Sequence, residues 1–428
     1  MESYEENIKN KELVKSNKSK FILYSVKSKY ILIKIFDYLQ KNTNLAIIKY
    51  NKELQNTFNI SIKDYKEYPE LFSPIEIELI TQENKYGKFI NILNEEDKKY
   101  FHIYFNNNNS EEIKRYKLND NDKIRTIKII IDYQITSLYC LFAMSNVIEA
   151  INFKKFYRIN INNMNGMFSN CPILKEIIFS NYNTINVTDM SSMFKNCPKL
   201  KEINLSNFNT SNVTDMSFMF SECTSLEELN ISNFNINNVT NFTNMFRECS
   251  SLKKVIFSSI NNNQINNEFI EVDASYMFLG CTSLEKINFS YSNNNHCFFM
   301  TGMFSFCSSL KDLNFSLNNS NFIGLSRYMF NHCISLEKVD LSNFNCNSIF
   351  DMTYMFFECK SLKEINLSNF NTNNVKNICG MFSNCSSLKE LDLSNFHISN
   401  KENIDNMFPG CSEELKTKIN KQNKNIKY

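Results

Sequence analysis

The chain has 428 residues, 43% hydrophobic and 14% aromatic, which is enough to bury a large core, and its 7 Gly and 5 Pro exclude collagen-like or Pro/Gly-rich disordered classes. Formal net charge is +2, but residues 1–68 hold 13 Lys against 8 acidic residues and residues 415–428 hold 5 Lys and no acid, so the long stretch between them is net negative. A mildly acidic body with basic ends excludes a nucleic-acid binder and leaves the tails as solvated ends.

In chain order, residues 1–20 are polar and charged and read as a disordered basic tail with no secretory signal core. Residues 21–68 predict a small helical region of two or three short amphipathic helices, with Asn42-Thr43-Asn44 as a break. Lys27, Lys29, Lys34 and Asp37 interrupt the apolar run 21–39, so stable membrane insertion is not expected. The segment Ile35-Phe36-Asp37-Tyr38-Leu39 faintly resembles an F-box, without its leading Pro and trailing Trp. That resemblance implies that Ile35, Phe36 and Leu39 contact a ubiquitin-ligase linker protein, with the rest of the chain selecting substrate. Residues 69–136 carry strand-like runs at 75–80, 86–92, 100–105 and 124–131 and predict a β-rich N-terminal cap on the repeats.

From residue 137 to 411 the chain repeats. Met-Phe followed by Cys recurs ten times, starting at Met167, Met193, Met219, Met245, Met277, Met303, Met329, Met355, Met381 and Met407. The starts are 26 residues apart, except for 32 between Met245 and Met277, and Leu141-Phe142 with Ser145 supplies an atypical eleventh unit. A fixed period in this range is the mark of a solenoid. In residues 187–208, Val187, Met190, Phe194 and Cys197 form a helical stripe that Thr188 or Asp189 can cap. Leu200, Ile203 and Leu205 then predict a strand with one buried face. A single unit has about six large apolar side chains, each worth roughly 1.5–3 kcal/mol when covered, so only stacking closes the core. Residues 412–428 predict a Lys-rich cap helix and tail, with Leu415 and Ile419 turned inward.

Runs such as Met219-Phe220-Ser221-Glu222-Cys223-Thr224-Ser225-Leu226 and Asn230-Ile231-Ser232-Asn233-Phe234 resemble the BspA-like leucine-rich repeat family, the Mycoplasma-lipoprotein type of 26-residue repeat. The resemblance covers residues 140–411. It implies an α/β solenoid, a leucine-rich repeat array of about eleven strand-plus-short-helix units behind a small helical and β N-terminal region. It further implies an interaction or adhesion scaffold whose ligand differs between members.

Ten of the 14 Cys hold the repeat position and read as small buried hydrophobes with a weak S–H donor. No two Cys have paired zinc-ligand spacing, so no metal or other cofactor is expected. Cys297 takes the apolar position of Val187. His296 beside Cys297 is not a nucleophile and base, because neighbours in a strand point apart. No phosphate loop, metalloprotease motif or serine elbow occurs, and no catalytic residue is assigned.

The outward strand column reads Ile178, Asn204, Asn230, Ile256, Asn288, Asn314, Asp340, Asn366 and Asp392, beside a column of serines, and predicts either a self-satisfying amide ladder or a partner-binding ribbon. The consensus breaks at 259–271, 291–299 and 317–325, so Tyr276, Tyr291, Phe298 and Tyr328 are candidate exposed anchors in irregular central loops. The expectation is a monomeric, non-enzymatic scaffold for another protein or a glycan. Five glycosylation sequons inside predicted strands, such as Asn204-Leu205-Ser206, favour a cytoplasmic location, with a cell-surface adhesin as the alternative.

Overall fold

The computed structural model describes residues 73–422, except 107, 181, 258–259, 262–269, 293–295, 319–321, 324–325, 343–348, 369–371, 395 and 397–406. The F-box-like residues Ile35, Phe36 and Leu39 lie outside the described residues.

The described part opens with β1 (Ile75–Thr81), β2 (Gly87–Lys88), a 3-10 turn (Glu95–Tyr100), β3 (Phe101–Phe105), β4 (Lys117–Leu118) and β5 (Thr126–Ile131). Strict alternation buries Ile75, Ile77 and Leu79 on β1 and Ile127, Ile129 and Ile131 on β5. The sheet order is β3-β5-β1-β6-β7, where β6 is Ile148–Lys155 and β7 is Glu176–Phe179. β6 pairs antiparallel with β1 and parallel with β7. The N-terminal sheet therefore runs without a break into the first strands of the repeats and covers their open side.

From there one core column extends along the chain. Eleven rings, from Phe142 to Phe408, stack at centroid distances of 5.2–5.8 Å with planes within 16°. Each such contact is worth about 0.5–1.5 kcal/mol beyond its buried area. The Met, Phe and Cys of the ten Met-Phe units are buried around this column, and in five of those units a second Met three residues earlier, such as Met190 before Met193, is buried with them. The fold is a solenoid of stacked repeats.

Its units differ from the predicted form in one respect. The Met-Phe segment is not a short helix but a pair of consecutive turns, with Ser192 at φ 55° and Asn196 at φ 53° in the specimen repeat. The main-chain N–H groups of Met190, Ser192, Phe194 and Asn196 donate to Asp215, Ser217, Met219 and Ser221 of the next unit at 2.7–3.0 Å. Met193 and Lys195 N–H groups close local turns on Met190 and Ser192. A helix would spend those donors within the segment. Here they bind repeat to repeat, and Asp189 caps the turn by accepting from Ser191 N–H at 2.9 Å.

The opposite segment of each unit forms a strand wall that is only partly laddered. β8 (Glu228–Ile231) pairs with β9 (Lys254–Phe257), and β16 (Lys338–Asp340) with β17 (Glu364–Asn366), all parallel. β12 (Lys286–Ser292) pairs over its full length with β14 (Asp312–Asn318), and β10 (Ile260–Asn261) joins their edge. Residues 202–205 belong to no strand, so β7 and β8 end separate sheets on either side of them.

In the centre, β11 (Ile270–Asp273), β13 (His296–Phe299) and β15 (Phe322–Ile323) make a second parallel sheet where loops were predicted. Extended backbone inverts the expected facing. Phe298 pairs with Val272 and is 1% exposed, so it is a core residue and not a surface anchor. Turn-type units bury residues three apart, Val187 and Met190, whereas here Phe298 and Met300 are buried two apart, which is strand period. The array ends in α1 (Glu413–Gln422), which buries Leu415 and Ile419. Among the described residues no helix is long and apolar enough to cross a membrane.

Candidate functional site

On the strand wall, the outward Asn and Asp residues do not form the amide ladder read from the sequence. The side-chain oxygens of Asn204, Asn230, Asp340, Asn366 and Asp392 each accept the N–H of the serine two residues on, at 2.9–3.1 Å. Each closes a local turn with that serine. The same donation from Ser342 and Ser394 N–H holds the Asp340 and Asp392 carboxyls below the usual range. Asp340 also accepts from the next unit, through Asn366. Asn288 is exposed on β12 opposite Asn314, whose side chain lies outside the described ones.

Where residues 202–205 leave the ladder, a groove of about 620 Å3 opens, lined by Ile178, Glu202, Ile203, Asn204 and Asn230 among others. Ile203 is only half-buried, whereas Ile177 and Leu229 in the same place on β7 and β8 are buried. Ile178 is 43% exposed at the rim. A second groove of about 1030 Å3 lies beyond β17, between Ile365, Leu391, Asp392 and Lys418 of α1.

The predicted aromatic anchors divide. The Tyr291 side chain is outside the described ones, and Phe298 is buried. Tyr276 and Tyr328 do reach the surface, but on the turn wall. Two columns on this wall have positive φ in every described unit: Ser192, Phe218, Asn244, Tyr276, Gly302, Tyr328, Tyr354 and Gly380, and Asn196, Glu222, Glu248, Gly280, Phe306, His332, Glu358 and Asn384. Several of these side chains meet the equivalent residue of an adjacent unit. Asn196 donates to Asn170 at 2.9 Å, Asn384 donates to Glu358 at 2.6 Å, Phe306 stacks on His332, and Tyr328 stacks on Tyr354. Tyr276 lies over Gly302 so closely that a Cβ there would meet its ring at 2.7 Å.

Asn and Gly tolerate the left-handed region, whereas other L residues pay about 1–2 kcal/mol each. Phe306, Tyr328, His332 and Tyr354 bear that cost, and none of them except Tyr328 was singled out by sequence. Their only signal was the 26-residue spacing from Ser192 or Asn196, which becomes meaningful once those positions are known to have positive φ.

Elsewhere, each of the ten column thiols donates to the Phe carbonyl of the preceding unit at 3.0–3.1 Å, as Cys223 does to Phe194. Burial pushes the Cys223 thiol up to about 12 and raises those of Cys249, Cys281, Cys307 and Cys333 as well. Such thiols are poor nucleophiles and metal ligands. Among the described residues no cluster of three or more His, Cys, Asp or Glu side chains could hold a metal. The His296 and Cys297 side chains lie outside the described ones.

Comparison with known proteins places these features in a family. The chain is similar to the crystal structure of a leucine-rich repeat protein from Bacteroides ovatus ATCC 8483, at 20% identity over 63% of this chain and 83% of that one, with a TM-score of 0.26. No curated protein matches. The model of the family described as "Mycoplasma protein of unknown function, DUF285" matches residues 136–259, 162–287, 228–338 and 299–422. These matches join into one span over the repeats, about two thirds of the chain, and the protein belongs to that DUF285 family.

Proposed function

We propose that this protein is a binding scaffold that holds another protein against its strand wall. The observation that carries the reading is the interruption at residues 202–205. It leaves the outer edges of β7 and β8 without a neighbouring strand beside a groove that mixes apolar Ile178 and Ile203 with Glu202 and several Asn and Ser side chains. Unladdered backbone edges offer hydrogen bonds to an extended segment, and flanking side chains supply selectivity. The regular stacking supplies a rigid frame on which such a groove costs no reorganisation.

The test is affinity capture with the full chain, with Asn204→Lys/Asn230→Lys, and with a chain lacking residues 259–271. The reading expects partners lost on the lysine pair. Equal recovery by the lysine variant would remove the strand wall from consideration, and loss confined to the deletion would move the contact to the central insertion.

A further inference from the structure

We propose that the groove at residues 202–205 takes a basic polypeptide segment, one that lays a Lys or Arg side chain across Glu176 and Glu202. The inference rests on reading that groove as a binding site and adds the chemistry of its partner.

From β7 to the end of the array, the position that opens the wall segment of each unit is charged, and its sign follows where the wall ladders. Strands pair where opposite charges face each other: Glu228 opposite Lys254, Lys286 opposite Asp312, and Lys338 opposite Glu364. They do not pair at the like-charged steps Glu176 to Glu202, Glu202 to Glu228, Lys254 to Lys286 and Glu364 to Glu390. Asp312 and Lys338 are the exception, of opposite sign yet in separate sheets. Like charges directly opposite on neighbouring strands are destabilising. The groove opens where glutamates at 176, 202 and 228 follow one another, and its described lining includes Glu176 and Glu202 but no Lys or Arg.

The step from Glu364 to Glu390 shows what satisfies such a column. Lys338 lies 2.8 Å from Glu364, and Lys418 reaches back from α1 to lie 2.9 Å from Glu390. That second groove carries its own bases, Lys363, Lys389 and Lys418. Among the described residues no ion pair reaches Glu176, Glu202 or Glu228. Lysines of the neighbouring column are engaged elsewhere, Lys175 with Glu149 and Lys253 with Glu227, and Lys201 adds its field at Glu227. The first groove therefore lacks the cation that the second one supplies from within the chain.

The apolar side of the groove narrows the class further. Exposed Ile178, two residues beyond Glu176 on β7, and half-buried Ile203 suit the aliphatic stem of a Lys or Arg whose head meets the carboxylates. RNA or an anionic membrane is repelled by the glutamates and by the net acidic body of the chain. A metal ion or polyamine leaves the unladdered backbone of residues 202–205 unmatched, whereas a peptide chain can hydrogen-bond to it.

The test is selection of binders to the full chain from a random-sequence peptide display library. The expected result is enrichment of Lys- and Arg-containing peptides. By fluorescence anisotropy, a selected peptide binds Glu176→Gln/Glu202→Gln at least about tenfold more weakly than the native chain. The melting temperature of that variant is no lower than native, since the change removes a like-charge contact. Glu337→Gln/Glu364→Gln removes the same charge from paired units and leaves the affinity unchanged. A library that yields no binder, or equal weakening by the two variants, overturns the proposal. Neutral or acidic peptides that are lost on Asn204→Lys/Asn230→Lys overturn the basic preference alone and leave the groove as a binding site.

Discussion

The thiol of each unit is more than filler. In the specimen case Cys223 Sγ donates to Phe194 O at 3.1 Å inside a fully buried column. Replacing Cys223 with Val keeps apolar bulk but removes the donor and orphans the Phe194 carbonyl. The expected cost is about 1–3 kcal/mol, read as a lower urea midpoint at unchanged slope. An unchanged midpoint would reduce the thiol to a space-filling role. This burial was legible in the sequence because one residue type recurs at one spacing. The left-handed columns were not, because Ser192, Phe218 and Tyr276 share no chemistry and their φ is imposed by bonds to the next unit.

At the scale of elements, helix and turn pair were indistinguishable by apolar period, since both return a side chain to the core after three residues. What separates them is the destination of the N–H groups, which the sequence does not encode locally. Across the Met-Phe turns, as from Met190 to Asn196, the peptides that link units direct N–H toward the C-terminal neighbour and C=O toward the N-terminal one. The first unit therefore presents bare carbonyls, and Asn91 covers them. Its N–H donates to Leu141 O at 2.7 Å and its amide to Ala143 O at 2.5 Å, taking the places that Phe142 and Met144 fill one unit later. Asn91→Leu loses the amide bonds. It is expected to cost about 1–3 kcal/mol and to speed hydrogen exchange over residues 138–145, while exchange in the units beyond Met245 stays the same.

On the N-terminal sheet, His102 bridges Glu112 at 3.0 Å and Asp132 at 3.1 Å. Burial opposes its charge, but the hydrogen bonds to Asp132 and Glu112 outweigh burial and raise its pKa above 6.5. A raised folded value stabilises fully below 6.5 and is lost as pH climbs through it. Melting of the native chain should thus fall relative to His102→Gln as pH rises from about 6 to 8. Parallel melting curves for the two proteins across that range would show the bridge to be inert.

For the whole molecule, the aligned linking peptides make the array one cooperative stack, with each unit contributing half of two interfaces. Composition and period made that architecture visible, down to the buried Met-Phe-Cys set and the inward Leu415 and Ile419. The strand wall was only half legible. Leu200, Ile203 and Leu205 carry the same spacing as the paired strands, yet residues 202–205 do not ladder. Phe298 was misread because an insertion before it replaced turn by strand and moved the inward position by one residue.

Alkylation of the native protein by iodoacetamide, mapped residue by residue, tests this stacking most directly. Burial keeps Cys171, Cys197, Cys223, Cys249, Cys281, Cys307, Cys333, Cys359, Cys385 and Cys411 unmodified until unfolding, while half-exposed Cys140 and Cys379 react first. Labelling of several column thiols in the folded chain at the rate of Cys140 would contradict the shared core.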